Sequence, residues 1–392
     1  MWILVVGAGS PIPTFIARRL NALAEADLKL VVALAYGQHH TLHNSIKIVR
    51  YGNLNQMRLV DVFDFMISVM VYPLRFARVL GLVSSGRLST RLKLAVRFFP
   101  LSLVKNVTLI HVQWLGMVAD VQWLKAILHA PMLASVRGSQ VTVYPVTRPN
   151  YGALISRAFE LTDACHLVSN DLKKPCMALG VLPEKLFVNY NGIDLERFKP
   201  NGQRKNASGI TLISVGSLIW RKGYLFQLMI LQQLRVSGLQ VELHIIGSGI
   251  EAEGLTYTAN TLGVADFVFF DGHLTESKII ERLQSADVYI STSMAEGLPN
   301  SLVEAAACGL PIVAFDCEGA SEIISHGETG FIVDKGNTDQ IITYLQQLED
   351  GNLRTKMGRA ARERIEKYFD EKQCTLEMMA IYHRLAHTHG AE

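Results

Sequence analysis

Met294-Ala295-Glu296-Gly297-Leu298-Pro299-Asn300-Ser301-Leu302-Val303-Glu304-Ala305-Ala306-Ala307-Cys308-Gly309-Leu310-Pro311 sets two carboxylates eight residues apart across a loop that becomes a helix. Pro299 suits a first helical turn, where its missing N–H costs nothing, or else Asn300 or Ser301 caps a slightly later start; Gly309 supplies a left-handed stop. Glu296 then precedes the helix, and Glu304 lies one to two turns inside it. A loop carboxylate and a helical carboxylate on one wall can accept hydrogen bonds from several hydroxyls of a polyol. The open N–H groups of the helix start favour a phosphate. A plain reading also exists, with Glu304 a solvated helix residue and Glu296 a turn residue.

Outward from this stretch, short β-rich runs alternate with helical ones, the pattern of parallel sheets covered on both faces. The first half offers strands at 2–6, 28–33, 108–112, 132–136, 166–169 and 186–190, and the second at 210–215, 241–246, 267–270, 288–291 and 312–315. Each half opens with a strand running into glycine, at Gly7-Ala8-Gly9 and at Gly216, so two Rossmann-like domains are expected. The boundary reads at Asn189–Pro200, an Asn-Gly turn followed by the polar stretch 201–209. This gives an N-terminal domain at 1–198 and a second at 199–370. Residues 353–367 and 371–386 read as two terminal helices.

At 392 residues, 49% hydrophobic and 19% charged, the chain is long enough for two ordinary domains, each with its own core. Five scattered cysteines, Cys165, Cys176, Cys308, Cys317 and Cys374, indicate neither a disulfide framework nor a zinc site, and a reducing cytoplasm is the simplest compartment. No run of about 18 uncharged apolar residues is present, and 1–7 reads as a first strand and not as a signal peptide. A net charge of +3 argues against a nucleic-acid partner. From Tyr72 to Lys105 the chain has seven cations and no acid, interleaved with Leu and Phe. That stretch suits an anionic membrane surface, or the solvated outer face of a core helix.

Glu-Gly-Leu-Pro-Asn, then Glu-Ala, then Ala-Cys-Gly-Leu-Pro resembles the E-x7-E signature of retaining glycosyltransferases of family 4 (glycosyl transferases group 1). The resemblance implies an α/β GT-B fold, with two Rossmann-like domains whose parallel sheets face a central cleft. It implies an N-terminal acceptor domain, a C-terminal nucleotide-sugar domain, and a terminal helix, 371–392, that crosses back to the first. Glu296 would hold the donor sugar's hydroxyls and Glu304 the ribose, with Gly297, Leu298, Pro299, Asn300 and Ser301 bordering the donor.

Further residues carry the same resemblance. Ser214–Tyr224 leaves a strand through Gly216 and presents Arg221 and Lys222 before a helix, where adjacent cations suit a diphosphate. Lys222 matches the family's phosphate-clamping lysine; Ser217 stands where the family often has arginine. Gly247-Ser248-Gly249 and Asp271-Gly272-His273-Leu274 follow buried strands and match loops that border the nucleotide, although a lone Gly-x-Gly usually makes only a turn and His273 also reads as an exposed loop histidine. In the first half, Gly9, Ser10 and Trp114 fall on the acceptor side. The family's His-Gly-x-Asp loop here has Arg137 and Gln140, so a donor contact would rest on Arg137 or on His111; a core role for His111 stays open.

The family reaction is front-face substitution with retention, in which the leaving diphosphate stays close and helps take the acceptor proton. Lys222, Arg221 and the helix dipole would stabilise the charge that grows there. No Asp-x-Asp metal motif appears, so neither metal nor other cofactor is expected. The expected partners are a nucleotide sugar and a saccharide or lipid-linked saccharide, in the cytoplasm or on the inner face of the cytoplasmic membrane. One rival is an NAD-dependent oxidoreductase or epimerase at Gly7-Ala8-Gly9, but the acidic residue it needs after the second strand is missing, and its Tyr-x-x-x-Lys spacing occurs only at Tyr368 and Lys372. Another is a sugar-nucleotide-binding protein without turnover, suggested by Ser217, Arg137 and Gln140.

Overall fold

The computed structural model describes residues 1–9, 11–35, 42–52, 59–83, 87–201 and 209–388. They divide into two compact units: Met1–Val168 with Leu172–Asn189 and Lys372–Glu392, and Ser169–Asp171 with Tyr190–Glu371. The division falls after Asn189, upstream of the expected boundary at 198, so the Asn-Gly turn and the Phe198 segment pack with the second unit. Phe198 is buried there, and the Arg362 guanidinium donates to the carbonyls of Phe198, Leu195 and Ala307.

The first unit holds a seven-stranded parallel sheet in the order β3-β2-β1-β4-β5-β6-β7, from β1 (Trp2–Val6), β2 (Lys29–Ala35), β3 (Lys47–Tyr51), β4 (Leu109–Val112), β5 (Met132–Val136), β6 (Ala164–Leu167) and β7 (Leu186–Val188). Central strands have no solvated face and are almost wholly apolar, as helix-covered parallel sheets require. Its core gathers Ile3, Val5, Leu20, Leu30 and Leu109 with Met378, Tyr382 and Leu385 from the terminal helix Glu371–Thr388. That helix has Cys374, Thr375, Met378, Tyr382 and Leu385 buried, a spacing of three and four that gives it one inward face.

The second unit repeats the plan with six parallel strands in the order β10-β9-β8-β11-β12-β13. They are β8 (Ile210–Val215), β9 (Val241–Ile246), β10 (Val268–Gly272), β11 (Val288–Ser291), β12 (Ile312–Phe315) and β13 (Gly330–Val333). In both sheets the order reverses once, between β1 and β4 and between β8 and β11. Outside the carboxyl ends of the strands at such a reversal, neighbouring loops leave in opposite directions and open a crevice.

Candidate functional site

In the second unit that crevice brings together the two motifs. The loop after β8 turns through residues Trp220–Lys222, and Gly223, with φ +65°, ends the turn and starts the helix Tyr224–Val236. The loop after β11 is strapped to it: Met294 N–H donates to Arg221 O at 2.7 Å and Thr292 Oγ1 donates to Gly223 O at 2.8 Å. A Cβ at residue 223 would lie 2.2 Å from Thr292 O, so only glycine permits this approach. The strap sets Lys222 Nζ 2.6 Å from Glu296 Oε1. Both side chains are half-buried. Burial by itself would lower the Lys222 pKa, but the Glu296 carboxylate outweighs it and raises the pKa above the ordinary lysine value.

The surrounding backbone is packed at glycine distances. A Cβ on Gly247 would meet Gly216 O at 1.9 Å, and one on Gly249 would meet Leu218 O at 2.3 Å. Gly247 therefore serves a loop-on-loop contact, which brings the end of β9 against the turn that carries Ser217 and Lys222. Ser217 is exposed, and Arg221, half-buried, has no hydrogen-bond or ion-pair partner for its side chain among the described residues. The tyrosines Tyr224 and Tyr289 brace the turn from below, Tyr224 donating to Gly216 O at 3.0 Å and Tyr289 OH accepting from Val215 N–H at 3.0 Å.

The helix of the opening motif runs Asn300–Ala307. Pro299 is its N-cap, one position earlier than the first turn, because Pro299 O already accepts from Leu302 N–H at 2.9 Å. Neither Asn300 nor Ser301 caps it; Asn300 Oδ1 instead accepts from Asn191 Nδ2 at 3.2 Å. Gly309, φ +77°, closes the other end, with Gly309 N–H on Ala306 O and Leu310 N–H on Ala305 O. Glu304 is the fifth helical residue and half-buried. Gly297 and Leu298 are buried, and Gly297 O accepts from Ser169 Oγ at 2.6 Å. His273 is exposed on the loop beyond β10, beside the partly buried Leu274. The Asp271 just before it pairs with His244 at 3.1 Å and Arg282 at 3.2 Å.

Three contributors escape a reading of the sequence. Glu318 Oε2 accepts from Glu296 N–H at 3.1 Å, Thr292 supplies the strap, and Asp171 Oδ2 holds Gly319 N–H at 2.8 Å. Glu318 and Thr292 follow the ends of β12 and β11, so their position at strand carboxyl ends was the available signal. A cavity of about 540 Å³ lined by Pro200, Gly309, Gly358 and Arg362 lies at the opposite end of the helix Asn300–Ala307 and contains neither Glu296 nor Lys222.

The first unit has its own crevice. Trp114 follows β4, and its ring lies near Gly7, whose φ is +77°. Gly9 is in the left-handed region at φ +103°. Ser10 lies outside the described residues. The Arg137 guanidinium stacks 5.0 Å from the Phe15 ring and 5.6 Å from that of Trp114, while Nε donates to Gln113 O at 3.1 Å. Its Nη1 is buried without a partner, as is Gln140 Oε1. A buried donor left open in this way costs the folded state the hydrogen bonds it would make in water.

His111 has a different place from a substrate ligand. It is fully buried, with Nε2 2.8 Å from Ser135 Oγ and Nδ1 2.7 Å from the Tyr382 hydroxyl. Ser135 continues to His166 at 2.9 Å. Both ring nitrogens are thus taken up inside the unit, where the histidine joins β4 and β5 to the terminal helix. Burial, then the cations of Arg137 and Arg19, hold its pKa well below the usual imidazole range; burial, then Arg19, does the same to His166. Both residues are therefore neutral when folded, and the unfolded chain alone gains protons as pH falls through about 6.5. Stability of this unit is full above that pH and is expected to fall below it by up to about 1.4 kcal/mol per pH unit for each histidine. Urea midpoints between pH 7.5 and 5 measure this; a flat profile would mean that the pair titrates alike folded and unfolded.

Two parallel, helix-covered sheets with strand-end crevices define the class as GT-B. In agreement, the structure of HepE from Anabaena in complex with UDP and glucose superposes with a TM-score of 0.73, covering 98% of this chain and 100% of that one at 19% identity. Residues 196–364, most of the second unit, match the family described as glycosyl transferases group 1. An uncharacterized glycosyltransferase of Haemophilus influenzae is 33% identical over 175 residues, 44% of this chain and 49% of that protein. The putative colanic acid biosynthesis glycosyltransferase WcaL of Escherichia coli is 26% identical over 246 residues, 60% of this chain and 59% of its own length. The chain thus spans about half to three-fifths of the length of these curated relatives.

Proposed function

We infer that the chain is a retaining glycosyltransferase that moves a hexose from a nucleotide-diphosphate sugar to a saccharide or lipid-linked saccharide in cell-surface polysaccharide assembly. The Lys222–Glu296 pair at the β8/β11 crevice, inside the stretch that matches group 1, carries this reading. An entering diphosphate replaces the carboxylate as part of the ammonium's environment, with Arg221 beside it and the helix start at Asn300 completing a cationic rim. Glu296 then accepts from the sugar hydroxyls and Glu304 from the ribose, which holds the anomeric carbon in place. Arg137 offers its open Nη1 to an oxygen of the bound saccharide. The departing diphosphate takes the acceptor proton. The naming of WcaL for colanic acid and the UDP and glucose held by HepE support the substrate classes.

Incubation with UDP-, GDP- and ADP-sugars should raise the melting temperature for one base, by an amount that grows with ligand concentration. Transfer or donor hydrolysis with the same sugar separates an enzyme from a binding protein without turnover. No shift with any of them would remove the donor assignment.

Neutralisation of the diphosphate by Lys222 and Arg221 makes the reaction metal-independent. Activity is expected to persist in excess chelator. Complete loss that manganese or magnesium restores would assign that neutralisation to an ion.

A further inference from the structure

The helices Leu59–Val71 and Pro73–Leu82 of the first unit meet at a bend of 96°. Their inner side is pinned by a ring cluster, with Phe76 5.1 Å from Phe99 and Phe65 6.1 Å from Phe99, and by the fully buried Val79. The outer side is the anomaly. Phe63, Met66, Ile67, Met70 and Val71 recur at helical spacing on the first helix and Leu74 lies in the first turn of the second, and every one is exposed, Phe63 by 66%, Met70 by 71% and Leu74 by 87%. This is the amphipathic stripe that normally faces a core, here turned outward. It begins upstream of the basic stretch 72–105 and extends its apolar character.

Leu88 and Leu92, exposed on the helix Leu88–Phe98, add to the same surface character. Arg78, Arg87, Lys93 and Lys105 are exposed, and Arg75 and Arg91 are partly so. Arg97 leaves this set, because its guanidinium lies 4.9 Å from the Phe98 ring and its Nε is buried. A second copy of the chain on this face would bring like charges together across a twofold interface. An anionic headgroup layer offers the opposite sign to the cations and an apolar boundary to the stripe. Among the described residues no single helix is long and apolar enough to cross a membrane, and a right-angled pair pinned along one side suits lying in the interface.

We propose that the outward stripe of Leu59–Val71 and Pro73–Leu82, with the flanking cations of 75–105, docks the protein on an anionic lipid membrane. The proposal stands apart from the chemistry assigned to the second unit. The test is co-sedimentation of the full chain with vesicles of phosphatidylglycerol and phosphatidylcholine, against phosphatidylcholine alone. Wild type should sediment with the anionic vesicles, less so at 1 M salt, where the Debye length is about 3 Å, yet more than with phosphatidylcholine alone. Met70→Glu with Leu74→Glu, on exposed positions, should lose at least tenfold in binding at every salt concentration with an unchanged melting temperature. Arg87→Gln, Arg91→Gln and Lys93→Gln together should weaken binding mainly at low salt.

Wild type left in the supernatant, or a Met70→Glu, Leu74→Glu variant that sediments as wild type does, overturns the proposal. So does a vesicle-free dimer in light scattering that this double variant dissociates, since the stripe would then be covered by a second copy. Melting-temperature shifts with nucleotide sugars, read in the same variants, should match wild type. Their absence in wild type would count against the transferase reading alone.

Discussion

Lys222→Ala is expected to cut transfer at least tenfold, about 1.4 kcal/mol of transition-state stabilisation, and up to about a thousandfold for loss of a preorganised charge. The ammonium is held 2.6 Å from Glu296, and on the proposed reading it exchanges that carboxylate for the charge of the bound diphosphate. Removing it also leaves a half-buried carboxylate without its partner, facing the place where phosphates would enter. Glu304→Gln keeps the shape of the helix wall and removes a charge, and a loss of at least about tenfold is expected there too. Comparison of kcat/KM, with circular dichroism to verify folding, reads both; wild-type rates in the two variants would take these residues out of the donor site.

Gly223→Ala is expected to destabilise the second unit by about 3 kcal/mol, combining a left-handed backbone cost with a steric one. The added carbon would stand 2.2 Å from Thr292 O, a backbone atom that cannot swing aside as a side chain would. Relief requires the Trp220–Lys222 turn to part from the Thr292–Met294 loop, which would carry Lys222 away from Glu296. Thermal unfolding should show the loss, and nucleotide-sugar binding should weaken alongside. An alanine variant with the wild-type melting temperature would mean that the strap does not hold the pair. Gly238, also at positive φ but with open space around it, is the control and should cost far less.

Most strands could be read directly from the sequence because they are buried on both faces: Ile3–Val6 and Ile312–Phe315 are unbroken apolar runs. The two overlooked strands, Lys47–Tyr51 and Gly330–Val333, lie at sheet edges. Lys-Ile-Val-Arg-Tyr is paired along one side only and carries two cations, Lys47 in solvent and Arg50 on the Ala35 carbonyl, so its composition resembles a loop. The carboxylate motif was legible because helix start, glycine stop and spacing agree. Pro299 shifted by one position since its carbonyl, not a side chain, takes the first free N–H. Glu318 offered only its place past a strand's carboxyl end: its contact with Glu296 depends on pairing of β12 beside β11, and nothing local announces that neighbour. His111 misled because histidine at the end of a buried strand looks alike whether it meets a ligand or a tyrosine 271 residues away.

The terminal helix has a bearing on biosynthesis. Residues that close the first unit's core, Met378, Tyr382 and Leu385, leave the ribosome only after the whole of 190–371. At about 5–20 residues per second, synthesis of 190–371 leaves the first unit without that wall for on the order of ten to forty seconds, and the second unit is complete about one to three seconds before Leu385 arrives. Ordinary N-to-C order is therefore reversed in this chain: the unit begun first is finished last, and a nascent chain stalled before residue 378 would hold a folded second unit beside an unsealed first one.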